Sequence, residues 1–397
     1  MNENELFRVR VALIQAFLRK HGYDGILISR ADNFAMATGG KRNYVYLFSD
    51  VGANSLFITK DGKAYFVGNT IEAPRVMEEE LANLDCDSRD YLWFELDAAE
   101  VVANEFKGNI VSDTGAVGKN VHNDLAPLRA LLTETEIEKY RQLGALAAEA
   151  MSATLDQIVP GMAEADIAAA LVHEGVKRRC QVPVALVAAD GRIERYRHPL
   201  PTIGPLLGEG LEEIGVQDYV MVVGCFVREG LVASITRFQA VGDVPAHIPN
   251  DYRRICGVDA LMQEASVPGK TLGDVFAACQ QAYRDLGFME NEWHHHHQGG
   301  ATGYAGRTCK GKPGESFPIL DLSLVKEAEA ILGSRPGFGQ AFAWNPSAPG
   351  VKSEDTFVLL EDGSQEIVTA TPHLPEVDLQ QVLGRPTPVR KSGIAGL

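Results

Sequence analysis

The sequence predicts an α+β protein with two domains. Its first third alternates helical and strand-like segments, whereas the remainder twice repeats the order long helix, shorter helix, strands. The helix-breaking triplet Val-Pro-Gly ends the long helix in both repeats, at 159–161 and at 267–269. We therefore expect a duplicated helix-helix-strand unit, which gives a curved antiparallel sheet with helices on its outer face and a pocket on its inner face.

The first domain is predicted to span residues 1–132. Apolar residues at helical spacing predict a helix over Leu6–Lys20, and the apolar run Gly25–Ser29 predicts a buried strand. The segment Ser55–Val67 has the pattern of a hairpin around a polar turn. A helix over Ile71–Asn83 and a short strand over Asn109–Ser112 complete the expected α/β unit.

The second domain is predicted to span residues 133–397. Thr133 and Glu136 have the spacing of a capping box and open a helix that ends near Ile158. A second helix is expected over Glu164–Arg178. In the second repeat, the helices begin near Asp251 and at Leu272. The predicted strands are Val182–Ala188, Tyr219–Phe226, Ala233–Ala240, Gln340–Trp344 and Thr356–Leu360.

Composition narrows the class of protein. The chain has 397 residues and a formal net charge of −16, which disfavours the clustered Lys and Arg of a nucleic-acid-binding surface. No apolar run approaches the roughly 18 residues that span a bilayer, and the N-terminus lacks the pattern of a secretory signal. The six cysteines are scattered without paired spacing, as is typical of reduced thiols. We expect a cytoplasmic protein that binds neither nucleic acid nor membrane.

Three segments carry a resemblance to a known family: Ile235-Thr236-Arg237, Gly339–Pro346 and Gly350–Thr356. With these segments, the chain from Glu134 to Thr369 resembles the "pita-bread" domain of methionine aminopeptidase, aminopeptidase P, prolidase and creatinase. The part before it resembles the N-terminal domain that the last three share. The resemblance implies a creatinase-like N-terminal domain, a pita-bread catalytic domain, hydrolysis of a C–N bond, and a homodimer whose partner helps to close the pocket.

The metal ligands of that family are mostly missing here. In its metal-dependent members, two Asp, one His and two Glu bind two divalent ions that activate a water molecule. Such a site needs several carboxylates to offset the charge of the ions. We therefore predict no metal pair and no cofactor. The matching positions are Gly224 (or Val223), Ser234, Gly300, Asn345 and Glu354, of which only Glu354 keeps a ligand.

Histidines are the candidates to replace the metals. The resemblance places His198 in a loop at the pocket edge, and an imidazole suits proton transfer near neutral pH. The run His294–His297 is expected to lie on a strand, where alternation would turn His295 and His297, or His294 and His296, inward. From this run we take His296 and His297 as catalytic candidates. The run has three open interpretations: proton transfer or substrate binding, a structural or exposed role, or a single transition metal held with or without Glu354.

The remaining candidates are polar groups of the expected pocket. Glu354 is a fourth catalytic candidate, as a general base or as a partner of a substrate N–H group, and its alternative is a structural pair with Arg237. Arg30 would either reach the substrate from the partner subunit or lie in an ordinary polar loop. The substrate-binding candidates are Asn345, Gln298, Tyr304, Arg237 and Arg30.

These residues define a leading hypothesis and two alternatives. The leading hypothesis is a creatinase-like, metal-independent hydrolase that cleaves a C–N bond in a small polar substrate. The first alternative is a pita-bread binding module that has lost catalysis. The second is a Xaa-Pro aminopeptidase or dipeptidase with an altered, histidine-rich metal site.

Overall fold

A five-stranded mixed sheet organises the first part of the chain. The computed structural model describes residues 1–203, 213–306 and 309–397. The strand order is β4-β3-β2-β1-β5, in which β1–β2 and β2–β3 are antiparallel pairs and β3–β4 and β1–β5 are parallel. The elements are α1 (Glu3–His21), β1 (Gly25–Arg30), α2 (Ala31–Thr38), β2 (Val51–Thr59), β3 (Ala64–Asn69), α3 (Ala73–Arg75), β4 (Asp87–Tyr91), α4 (Ala98–Glu105) and β5 (Ile110–Ser112).

Local sequence explains most of these element ends. The side chain of Asn2 caps α1 in a capping box with Glu5, and Gly22 ends the helix in the left-handed conformation. The helix predicted over Ile71–Asn83 is shorter than expected. It consists of α3 and a π-helical turn, Val76–Glu80, because Pro74 fixes its start.

Two helix-helix-strand units build the second part. The first unit has the antiparallel sheet β7-β8-β9, and the second has the sheet β11-β10-β12-β15-β16, which β6 extends through β12. The elements are α5 (Ala126–Ala130), β6 (Leu132–Thr133), α6 (Glu134–Leu155), α7 (Glu164–Lys177), β7 (Gln181–Ala189), α8 (Gly191–Arg195), β8 (Tyr219–Arg228), β9 (Leu231–Ala240), α9 (Ile248–Ala265), α10 (Leu272–Asp285), β10 (Gly299–Thr302), β11 (Cys309–Lys310), α11 (Leu322–Leu332), β12 (Phe338–Trp344), β13 (Ser347–Ala348), β14 (Val351–Lys352), β15 (Asp355–Leu360), β16 (Gln365–Ile367) and α12 (Leu379–Leu383).

The two units meet where β9 lies beside the segment that enters β15. The amide of Thr236 donates to the carbonyl of Glu354 at 3.2 Å, and the hydroxyl of Thr356 donates to the carbonyl of Ser234 at 3.0 Å. The helices α6 and α9 pack behind these strands, and Trp344 is fully buried with its indole N–H on Ser266. This arrangement confirms the predicted pita-bread fold and leaves the inner face of the joined sheets to carry polar groups.

Every helix of the described residues is too short or too polar to cross a lipid bilayer.

Candidate active site

A buried carboxylate stands at the centre of the inner face. One oxygen of Glu354 accepts from the hydroxyl of Thr236 at 2.5 Å and lies 3.1 Å from the ammonium of Lys352. The other oxygen accepts from the amide of Asn345 at 3.3 Å. We call Ser234, Thr236, Asn345, Lys352 and Glu354 the inner-face cluster. All five are buried, so an ion pair lies at the junction of the two sheets.

Lys352 is a member of the inner-face cluster that sequence reasoning did not single out. Its side chain is 2% exposed and that of Glu354 is 0% exposed, which makes this a fully buried ion pair. A lysine is almost never buried in this way unless a charge pairs with it. The signal in the sequence is its position two residues before Glu354, since residues two apart in an extended segment share a face.

The first aspartate position is corrected by the structure. A Cβ atom at Gly224 would lie 2.7 Å from the ring of Phe226 and 3.5 Å from Leu171, so this position faces the apolar side of the sheet. Its neighbour Cys225 pairs directly with Ser234 across β8 and β9, and their Sγ and Oγ atoms are 3.3 Å apart. Val223, the alternative first position, pairs with Thr236 across the same two strands. The second position, Ser234, carries a hydroxyl group.

The histidine position of the family cannot hold a side chain here. A Cβ atom at Gly300 would lie 2.0 Å from the carbonyl oxygen of Cys309 and 2.8 Å from the Cα of Lys310. The backbone of β11 thus fills the space. With a glycine there, neutral groups at Ser234 and Asn345, and an ammonium on Glu354, the residues do not fit the metal pair that the family implies.

A second group, the three-histidine cluster of His198, His296 and His297, lies next to the inner-face cluster. One ring nitrogen from each residue lies within 4.8 Å of the others, and the Nε2 atoms of His198 and His296 are 2.9 Å apart. The ion pair between Arg197 and Glu292, at 2.8 Å, ties the loop of His198 to the segment before His296. Three of the four predicted catalytic residues are thereby brought together.

The histidine run does not form the expected strand. Residues Glu292–His295 form a 3₁₀ turn after Asn291, which adopts the left-handed conformation, and extended backbone resumes at His296. His294 and His295 are exposed on this turn. The prediction that alternate members face inward is therefore wrong, since the consecutive pair His296 and His297 contacts His198.

The two clusters are electrostatically linked. Burial, and then the charge of Lys352 and the neighbouring imidazoles, hold the pKa of His296 far below its usual range, while Glu354 opposes this shift. His296 therefore remains neutral and offers its ring nitrogens as hydrogen-bonding groups. Its exposed neighbour His198 connects it to solvent.

Gln298 supports the histidine segment from behind. Its amide nitrogen donates to the carbonyls of Trp293 at 3.0 Å and His296 at 2.6 Å, and its oxygen accepts from Tyr283 at 3.1 Å. The residue is fully buried. Gln298 was predicted to bind substrate, but these contacts assign it to holding the loop, because its amide group is already satisfied.

Arg237 is a structural residue rather than a substrate-binding one. Its guanidinium donates to Asp355 at 2.7 Å, to Thr371 at 2.6 Å and to the carbonyl of Thr369 at 2.9 Å, and the side chain is buried. Its carboxylate partner is Asp355, so the suggested side-chain pair with Glu354 is wrong. Arg237 fixes the start of β15 and thereby positions Glu354.

Tyr304 also lies away from the histidines. Its hydroxyl donates to Glu136 at 2.5 Å, and Glu136 forms a buried ion pair with Arg10 of α1. Tyr304 borders a cavity of about 180 Å³ between the two parts of the chain, together with Tyr44. The observed contact of Tyr304 supports the packing of α1 on α6, and its predicted substrate contact stays a prediction.

Arg30 lies on the first sheet and contacts Asp32 and Asp50 of its own chain. Its predicted reach into a partner's pocket stays a prediction.

The fold and the inner face together define a two-domain pita-bread protein with a remodelled metal region. The chain belongs to metallopeptidase family M24, whose sequence profile matches residues 138–359. A probable dipeptidase PepE from Mycobacterium bovis is 26% identical over 248 residues, which cover 61% of this chain and 60% of the relative. The chain thus spans about three fifths of the length of the curated relatives it matches.

Solved structures share the whole fold at low sequence identity. The dipeptidase PepE from Mycobacterium ulcerans superposes with a TM-score of 0.68 and 18% identity, covering 94% of this chain and 98% of that one. The prolidase from Pyrococcus horikoshii OT3 superposes with a TM-score of 0.68 and 16% identity, covering 91% and 98%. At this identity the likeness concerns the fold.

Proposed function

We propose that this chain is a creatinase-like hydrolase that cleaves a C–N bond in a small polar substrate without the metal pair of its family. The observation that carries the proposal is the buried ion pair between Lys352 and Glu354. The family membership supports the reaction class, and the relatives named as dipeptidase and prolidase point to a peptide or similar amide bond.

The argument against the metal pair is one of charge. Two divalent ions bring four positive charges, which family members offset with several carboxylates. Here one carboxylate remains, and an ammonium 3.1 Å away already neutralises it. A further cation on Glu354 would have to displace Lys352 and leave that ammonium buried without its partner, which is costly.

Proton transfer would then fall to the imidazoles. Hydrolysis of a C–N bond requires that a water molecule lose a proton as it attacks and that the leaving nitrogen gain one. His198 is exposed and lies 2.9 Å from buried His296, so a proton can pass between substrate and solvent through this pair. The amide of Asn345 and the ammonium of Lys352 are hydrogen-bond donors beside it, suited to the developing negative charge on the carbonyl oxygen.

The test is turnover by chelator-treated protein across dipeptides, Xaa-Pro dipeptides and small guanidino or amide compounds. We expect hydrolysis that persists after metal removal and falls at least about 100-fold in His198→Ala, as for loss of a general acid-base group. Exposed His294→Ala is the matched control and should keep full activity. Activity that disappears with the chelator and returns with a divalent ion would refute metal independence. Tight ligand binding without any turnover would indicate the binding-module alternative.

We further propose that the chain forms a homodimer through the first sheet. The loops at one end of this sheet expose Tyr46, Phe48, Trp93 and Phe94, which are 62–87% accessible. The register of β2, β3 and β4 brings these loops to the same end. A second copy would cover such an apolar patch. The mass in solution of wild type and of Phe48→Ser with Trp93→Ser tests this, and the double variant should be monomeric.

A cytoplasmic location is the accompanying proposal. All six cysteines are free thiols, and four of them are buried. This pattern is typical of proteins in a reducing compartment.

A further inference from the structure

Among the residues that the structure describes, the three-histidine cluster brings together three imidazoles. His198 comes from one loop, and His296 and His297 come from the extended segment after the 3₁₀ turn. Ring centroids are 4.6 Å apart for His198 and His296, 5.1 Å for His198 and His297, and 4.4 Å for His296 and His297. Glu354, which the sequence suggested as a possible fourth ligand, already contacts Lys352, Thr236 and Asn345. The cluster is thus a separate site.

Its dimensions match those of a mononuclear transition-metal site. A Zn–N bond of about 2.05 Å and a tetrahedral angle place two imidazole nitrogens on one ion about 3.3 Å apart. The His198 and His296 nitrogens are 2.9 Å apart, and the full set lies within 4.8 Å. Small rotations of the rings would bring all three to one ion. Three imidazole ligands suit Zn²⁺, Co²⁺ or Cu²⁺ rather than Mg²⁺ or Ca²⁺.

A buried ring nitrogen supports the presence of a ligand. His296 is 8% exposed, and among the described residues its Nδ1 has no hydrogen-bond partner. A buried polar atom in that condition is rare in native proteins and points to an ion or water that completes the site. Either ring nitrogen of a histidine can serve as a metal ligand, so rotation of the ring presents one or the other.

The surrounding charges permit one cation. Lys352 and Glu354 form an ion pair whose formal charges sum to zero. Arg197 and Glu292, which hold the His198 loop, form a second neutral pair. No net charge of these neighbours therefore repels a divalent ion, and a hydroxide or a substrate carboxylate would supply the missing anion.

We propose that His198, His296 and His297 bind one transition-metal ion of the Zn²⁺ class, at a place distinct from the carboxylate site of family M24. The bound ion takes the nitrogen lone pairs of His198 and His296. The bound ion therefore inhibits turnover, because the same lone pairs carry the protons of the hydrolysis. This consequence rests on the proposed function.

Binding is tested with the intact, chelator-treated protein and with Co²⁺ as probe, followed by its visible absorption and by calorimetry. We expect one equivalent to bind. Loss of a residue that only hydrogen-bonds to a metal ligand lowers metal affinity about 10–100-fold. Loss of a ligand itself, in His198→Ala or His297→Ala, should therefore weaken Co²⁺ binding at least about tenfold. His294→Ala and His295→Ala are the matched controls, since both histidines are exposed outside the cluster. They should leave affinity unchanged.

Several results would overturn the inference. An absence of stoichiometric binding, or equal weakening in the control variants, would show that the cluster is no metal site. If Co²⁺ or Zn²⁺ binds as expected and inhibits turnover, the result supports both the metal site and the metal-independent reaction. If the ion binds as expected but turnover requires it, the site stands, whereas inhibition and the metal-independent function are wrong.

Discussion

At the scale of the residue, the contacts of Glu354 explain how a single carboxylate stays buried on the inner face. Removal of the ligands alone would leave Glu354 as an isolated buried carboxylate, which is strongly unfavourable. The ammonium 3.1 Å away, the hydroxyl of Thr236 and the amide of Asn345 satisfy it instead. The charge of Lys352 therefore balances the charge of Glu354 inside the protein.

This assignment predicts a large loss of stability in Lys352→Met. The variant keeps the length of the side chain but leaves Glu354 charged and buried, and breaking such a pair costs about 3–5 kcal/mol. Urea unfolding measures the change. Adding Glu354→Gln to the same chain should recover much of the loss, because the unpaired charge disappears. Lys312→Met changes an exposed lysine and serves as the control. If Lys352→Met were as stable as this control, the assignment would be contradicted.

At the scale of the element, β10 shows why the family histidine is absent. Its backbone runs between β11 and β12, and Gly300 pairs with Lys310 on one side and Ala343 on the other. The strand needs glycine because the carbonyl of Cys309 occupies the position of a Cβ atom. His296 and His297 lie in the segment just before this strand.

Gly300→Ala is accordingly expected to be destabilising. An added methyl group within 2.0 Å of a backbone oxygen forces the strands apart, and overpacking of this kind costs about 1–3 kcal/mol. Gly306→Ala is the control, because no atom of the described residues lies within 4 Å of its Cβ position. Thermal unfolding compares the two. Equal unfolding temperatures of the two variants would show that the backbone of β11 does not pack against Gly300.

The sequence predicted the elements better than the site. Periodicity and capping signals located α1, α6 and the strands of both units, because these depend on neighbouring residues along the chain. The conformation of the His294–His297 run depends instead on the left-handed Asn291 and on packing against distant Arg197. The partner of Glu354 likewise depends on which side chains meet between the two sheets. The need of a buried carboxylate for a partner suggested Arg237, whereas the structure has Lys352.

At the scale of the whole molecule, buried charges join distant parts of the chain. Arg10 of α1 pairs with Glu136 of α6, and Lys391 of the C-terminal segment reaches Asp259 of α9 at 2.7 Å. Lys391 is 2% exposed. These pairs fix the first domain and the C-terminal segment onto the pita-bread unit that carries both clusters.

Lys391 should make stability depend on alkaline pH. Burial alone would lower its pKa, but the attraction of Asp259 and Asp355 outweighs burial and raises the pKa above the usual 10.5. A raised folded-state pKa means that the contribution is fully present below pH 10.5 and is lost as pH rises through the folded-state value. Urea midpoints between pH 9 and pH 12 should fall more steeply in wild type than in Lys391→Met. If the urea midpoints of wild type and Lys391→Met changed equally with pH, the proposed role of Lys391 would be contradicted.

The central claim is that an ammonium stands where the family places two metal ions. Anomalous diffraction from crystals soaked in Mn²⁺ tests it most directly. We predict no manganese peak within bonding distance of the Glu354 carboxylate and continuous density for Lys352 beside it. Two peaks about 3.5–4 Å apart, with Glu354 as a shared ligand, would contradict the account.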